Sequence, residues 1–97
     1  MTTASATGWT FLTNHSHVLL AIWQRPDIRV RDIADIVGIT ERAVLRIIRE
    51  LHEAGFIAIQ KSGRENRYEV ISNLPLRHQL ERQHNVGELL ELLSKND

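Results

Sequence analysis

Apolar residues recur along this chain in helical patterns in five places and in strand-like patterns in three. Val18, Leu19, Ile22 and Trp23 share one side of a helix predicted from His15 to about Gln24, with Thr13 or Asn14 as its cap. Arg25-Pro26-Asp27 ends it, because the residue before a proline resists the α region. Ile28-Arg29-Val30 alternates and predicts a very short strand. In Arg31 to Val37, Ile33, Ala34 and Val37 point inward while Asp32 and Asp35 point outward, giving a second helix of about two turns. A third stripe of Ala43, Val44, Ile47, Ile48 and Leu51 predicts a helix over 40–54, and opposite it stand Arg42, Arg46 and Arg49.

The period then changes. Phe56 to Ile59 and Tyr68 to Ile71 are β-prone runs, and the polar segment from Lys61 to Arg67 between them predicts a hairpin with a cationic tip. Leu76 to Gln83 suggests a helical turn or two. Val86, Leu89, Leu90, Leu92 and Leu93 form the wide stripe of a last helix ending near Ser94. Asn85 with Glu88 three residues on has the spacing of a capping box.

Punctuation between the runs fixes the order. Gly38 supplies a tight turn between the second and third helices, Thr40 is placed to cap the third, and Gly55 to end it. Two short helices with a glycine turn between them form a helix-turn-helix unit. The fold class that follows is mainly α with a small β-hairpin (α+β). The organisation expected is an arm over 1–13, a central domain over 14–74, and a helical segment over 75–97. The opening residues to Gly8 are small and polar, an expected disordered stretch, whereas Trp9, Phe11 and Leu12 need a surface to rest on.

Composition narrows the function. Ninety-seven residues make one domain, and twelve basic against twelve acidic side chains leave no formal charge. The distribution is uneven. Arg25 to Arg67 holds nine Lys/Arg and seven Asp/Glu, while Tyr68 to Asp97 holds three and five. The absence of cysteine excludes disulfides and thiolate metal sites and fits a reducing compartment. No apolar run approaches the ~20 residues that cross a bilayer, and the N-terminus lacks an export signal, so a cytoplasmic protein is expected. Neither a glycine-rich phosphate cradle nor a nucleophile with a spaced base is visible, and an enzyme is not expected. Five histidines raise the question of metal. His15 and His17 diverge at i,i+2, and a cap at Asn85 should separate His84 from Glu88, so no metal or other cofactor is expected. No small-molecule effector is evident.

The arginines have two uses. Arg46–Glu50 and Arg49–Glu53 have the spacing of ordinary surface pairs. Alternatively, a guanidinium is a bidentate partner for guanine and a fixed charge for phosphate.

The order helix, short strand, helix, turn, helix, hairpin, helix resembles the winged helix-turn-helix domains of prokaryotic transcriptional regulators, in the manner of the MarR and ArsR families. VRDIADIVGITERAVLRIIRELHEAGFI and the hairpin up to Tyr68-Glu69-Val70 carry the likeness, which extends from about His15 to Ile71. It implies sequence-specific binding of double-stranded DNA, with the arginine helix in the major groove and the hairpin, or wing, on the minor groove or backbone. Carried over by position, Thr40, Glu41, Arg42, Leu45, Arg46 and Arg49 become the recognition surface, and Lys61, Arg64, Asn66 and Arg67 the wing. Arg42 and Arg46 suit base contact, Arg49 phosphate, and Leu45 a thymine methyl; Thr40 is first a cap. Glu41 suits the helix N-terminus better than a base. Arg29 departs from the pattern, standing where relatives often carry a Ser or Thr cap. The last helix is also far shorter than MarR dimerisation helices. Two copies would read a symmetric site, with Trp9, Phe11, Val86, Leu89, Leu90 and Leu93 as the expected homodimer surface. The rival expectation is a winged-helix protein-interaction module that binds no DNA.

Overall fold

The computed structural model describes residues 8–95. Its elements run α1 (Asn14–Gln24), α2 (Val30–Val37), α3 (Glu41–Glu53), β1 (Ile57–Ser62), β2 (Glu65–Val70) and α4 (Val86–Ser94). Seven residues of the expected arm lie outside the described part. The first helix is the hub: α1 packs against α2, α3, β2 and α4. Val18 and Ile22 of α1 are fully enclosed, with Ile33 of α2, Val44 and Ile47 of α3 and Leu90 of α4 beside them in one core. At about 1.5–3 kcal/mol for each large aliphatic side chain removed from water, this cluster is the main stabilising term. Leu90 makes α4 part of the same core.

Local chemistry sets the angle between α2 and α3. Gly38 ends α2 in the left-handed region (φ 86°), donating its amide to Ala34 O at 2.8 Å. A side chain with a Cβ is strained in that conformation, whereas glycine adopts it freely. Thr40 then caps α3 by accepting from Ala43 N at 3.0 Å. Val44, Ile47, Ile48 and Leu51 are buried, as the stripe predicts. Arg29 precedes α2 in extended backbone without a side-chain cap bond, and the helix begins one residue earlier than expected.

The hairpin is antiparallel, with Ile57 opposite Val70 and Ser62 opposite Glu65. Its turn is only Gly63-Arg64, with Gly63 at φ 66°. That tightness draws Lys61, Asn66 and Arg67 out of the expected loop and into the strands. The hairpin is seated by Tyr68, buried against α1's side of the core, whose amide donates to Pro26 O at 2.9 Å.

Two expectations fail. Ile28-Arg29-Val30 is not a strand. A strand needs a ladder, and the hairpin offers this segment one backbone bond at Pro26; Ile28 is instead a buried loop residue and Val30 starts α2. Leu76 to Gln83 is not helical either. It forms single turns closed by Glu81 N to His78 O and His84 N to Glu81 O, within a loop whose ends meet through Leu76 N to His84 O and the Pro75–Asn85 bridge. Its second leucine, Leu80, remains exposed and has no apolar face to complete. Beyond the loop, Asn85 and Glu88 close the full capping box, each side chain accepting from the other's backbone amide. None of the described helices is long and apolar enough to cross a membrane.

Candidate nucleic-acid interface

The outer face of α3 is built by exclusion. Once its apolar stripe is committed to α1 and α2, the residues about half a turn away must face outward. Thr40, Arg42, Leu45, Arg46 and Arg49 line one open depression there, joined by Ala43, which the stripe places inward but the structure leaves only partly covered. Leu45 is half exposed, so burial does not account for it. Glu41, also exposed, occupies the first turn, where a carboxylate favours the helix dipole.

The three guanidiniums differ in their freedom. Arg42 and Arg49 have no ion-pair partner among the described residues, so the Arg49–Glu53 spacing produces no bridge. Arg46 does pair, its Nη1 lying 3.6 Å from Glu50 Oε1. The same oxygen meets His15 Nε2 of α1 at 2.7 Å. The His15 hydrogen bond is the main reason the Glu50 carboxyl titrates below its ordinary range; desolvation opposes it and the Arg46 charge reinforces it. The Arg46–Glu50 spacing is visible in the sequence. His15, 35 residues away, carries no local signal of its part.

The wing cations are divided. Strand alternation places Lys61 and its partner Asn66 on the side of Ile59 and Tyr68, while Arg67 and its partner Gln60 take the other side. Arg64 occupies the turn. Arg64 and Asn66 share a separate depression with Arg29 and Glu65, and Arg29 Nη2 lies 3.4 Å from Glu65 Oε2. Arg64 and Asn66 therefore sit apart from the α3 depression, where the wing meets the start of α2, while Arg67 lines a third depression with Gln60, Trp23 and Pro26.

The expected dimer residues also divide. Val86 and Leu90 are buried in the protomer's own core and Leu89 is partly covered, while Trp9, Phe11 and Leu93 are accessible. The Trp9 and Phe11 rings meet edge to face, with centroids 5.1 Å apart. Leu92, not among the expected residues, is the most exposed leucine of α4.

Among the described residues no group of three or more His, Cys, Asp or Glu side chains is placed to hold a metal ion. One detail differs from expectation: His84 Nδ1 does reach Glu88 Oε1, at 3.0 Å, despite the cap between them. Glu88 Oε1 serves the Asn85 amide and the imidazole together.

No curated protein matches the chain at a significant level. Residues 12–58, covering the three N-terminal helices and the first residues of the wing, match the family model described as winged helix-turn-helix DNA-binding. The described residues form four helices, the second and third of them a helix-turn-helix, and a two-stranded wing; this is a winged helix-turn-helix fold, and fold and match together indicate a DNA-binding domain.

Proposed function

We propose that this chain is a prokaryotic transcriptional regulator of the MarR/ArsR-like kind, cytoplasmic and non-enzymatic, that binds a specific duplex sequence. In this reading α3 enters the major groove and the hairpin follows the minor groove or backbone. The observation that carries it is the outer face of α3: a rigidly capped helix presents Arg42, Arg46 and Arg49 around Leu45, and two of the three guanidiniums have no partner among the described residues. A protein-binding module would be better served by an apolar face, whereas this one carries a single leucine among cations. Arg42 and Arg46, nearer the helix start, are assigned to base edges and Arg49 to phosphate. Glu41, Thr40, Lys61, Arg64, Asn66 and Arg67 complete the proposed surface.

The chain acts as a homodimer in this proposal, so that two α3 helices address half-sites about 34–36 Å apart. Trp9, Phe11, Leu92 and Leu93, with the partly covered Leu89, supply the apolar surface for that contact. The test is fluorescence anisotropy on a duplex selected from a random pool, at fixed salt. Arg46→Ala should weaken binding and relax base preference. Arg64→Ala should lower affinity evenly across sequences and flatten the salt dependence. Equal affinity of wild type and both variants would refute the proposal.

A further inference from the structure

Behind α3 lies a groove of about 600 Å³ whose floor includes Leu51 and Leu90 and whose rim carries His15, Glu50, Glu53 and Arg77. The rim charges are of both signs and select neither an anionic nor a cationic ligand. One of them, however, connects the groove to the opposite side of the helix. Glu50 Oε1 is shared: His15 Nε2 reaches it at 2.7 Å from α1, and Arg46 Nη1 at 3.6 Å from the outer face of α3.

Sharing makes the strength of one contact depend on the other. A neutral imidazole donates a hydrogen bond to the carboxylate and leaves its negative charge for Arg46. A protonated imidazole places a full countercharge on the same oxygen, at the shorter distance, and adds Coulomb attraction to a hydrogen bond that the carboxylate charge already assists. Arg46 then loses most of what holds it along the helix. We infer that protonation of His15 strengthens duplex binding by releasing Arg46 from Glu50, so that α1 tunes the recognition helix. The inference rests on the DNA-binding reading proposed above.

The other charges around His15 do not reproduce this link. Glu53 of α3 and Arg77 of the following loop line the same groove, but neither has an ion-pair partner among the described residues. On α1 itself, His17 Nδ1 is engaged by Asn14 Oδ1 at 2.9 Å. α4 contributes only Val86, Leu89 and Leu90 to the groove, none of them charged. Glu50 is held below its ordinary carboxylate range, and of the three residue types in the trio histidine is the one whose charge ordinarily changes between about pH 5 and 8.

The experiment is anisotropy with the full chain on the selected duplex, from about pH 8 to about pH 5.5 at constant ionic strength, a span that brackets ordinary histidine titration. Wild type should tighten by about two- to fivefold on acidification, the range an exposed ion pair contributes. His15→Gln should remove most of that gain. Glu50→Gln should bind at the tighter level throughout, and adding His15→Gln to it should change nothing further. A pH dependence that survives in His15→Gln, or persists undiminished in Glu50→Gln, would overturn the inference. Without DNA, the Arg46 side-chain NMR signal should follow the His15 titration in wild type and cease to do so in Glu50→Gln; an Arg46 signal indifferent to His15 also overturns it. If folded wild type binds no duplex at any pH, the DNA-binding reading itself fails, whereas binding without the proton link refutes only this inference.

Discussion

Replacing Gly87 by alanine sets two effects of opposite sign against each other. Gly87 lies in the first turn of α4, and in a helix alanine is favoured over glycine by about 1 kcal/mol. Propensity alone therefore predicts a more stable protein. The packing predicts the reverse. A Cβ at this position would sit 2.8 Å from Ser72 O and 2.9 Å from Ser72 Cβ, with Asn85 Oδ1 at 3.4 Å. The two closest atoms are backbone oxygen and Cβ, which cannot swing aside. Relief requires α4 to move away from the segment after the hairpin. That movement strains the bonds docking it there, Gly87 N to Ser72 O at 2.9 Å and Val86 N to Leu74 O at 2.8 Å. Overpacking of this kind costs about 1–3 kcal/mol, and each of the two weakened bonds adds about 0.5–1 kcal/mol. After subtracting the propensity gain of about 1 kcal/mol, the net loss should be about 1–4 kcal/mol, lowering Tm by roughly 5–30 °C for a domain of this size. Urea unfolding followed by tryptophan fluorescence and by circular dichroism gives the free energy directly. A Gly87→Ala protein as stable as wild type, or more so, would refute the claim that α4 is docked through this contact.

Three further outcomes follow from the same structure. Leu90→Ala, at a fully buried position in the core shared with α1, should cost about 2–5 kcal/mol in calorimetry; a loss under about 1 kcal/mol would mean that α4 does not belong to that core. The Glu50 carboxyl should titrate below its ordinary range by carbon-detected NMR and move back up in His15→Gln. Because its folded pKa is depressed, the stability it contributes is present above its unfolded value near 4.5 and disappears as pH falls through the folded value. An unchanged titration in His15→Gln would contradict the hydrogen bond. Sedimentation at micromolar concentration should show a dimer for wild type and a monomer for Leu93→Glu, whereas a wild-type monomer would refute the proposed assembly.

What the sequence made legible was local. The Asn85–Glu88 capping box, the Thr40 cap, the Gly38 turn and the limits of α4 all depend on residues within four positions of each other, and all stand in the structure. Readings that needed a distant partner were less secure. Ile28 to Val30 alternates as a strand does, but no ladder reaches it. Leu76 and Leu80 have helical spacing, but the loop closes through His84 instead. A polar run around glycine resembled a long hairpin tip, while the two-residue turn extended both strands into it. At the interface, the arginine face of α3 was readable from periodicity. The division of the wing cations between two sides, and the arrival of His15 at Glu50, arise only when remote segments meet.

The central claim is that the outer face of α3, together with the wing, is the surface that meets DNA. Amide-shift mapping of the full chain with a selected duplex tests it most directly, with a scrambled duplex of equal length as control. The predicted result is a set of perturbations concentrated at Thr40 to Arg49 and Lys61 to Arg67, larger for the selected sequence than for the scrambled one. Perturbations confined to α4 and the Trp9–Phe11 surface, or identical for both duplexes, would contradict it.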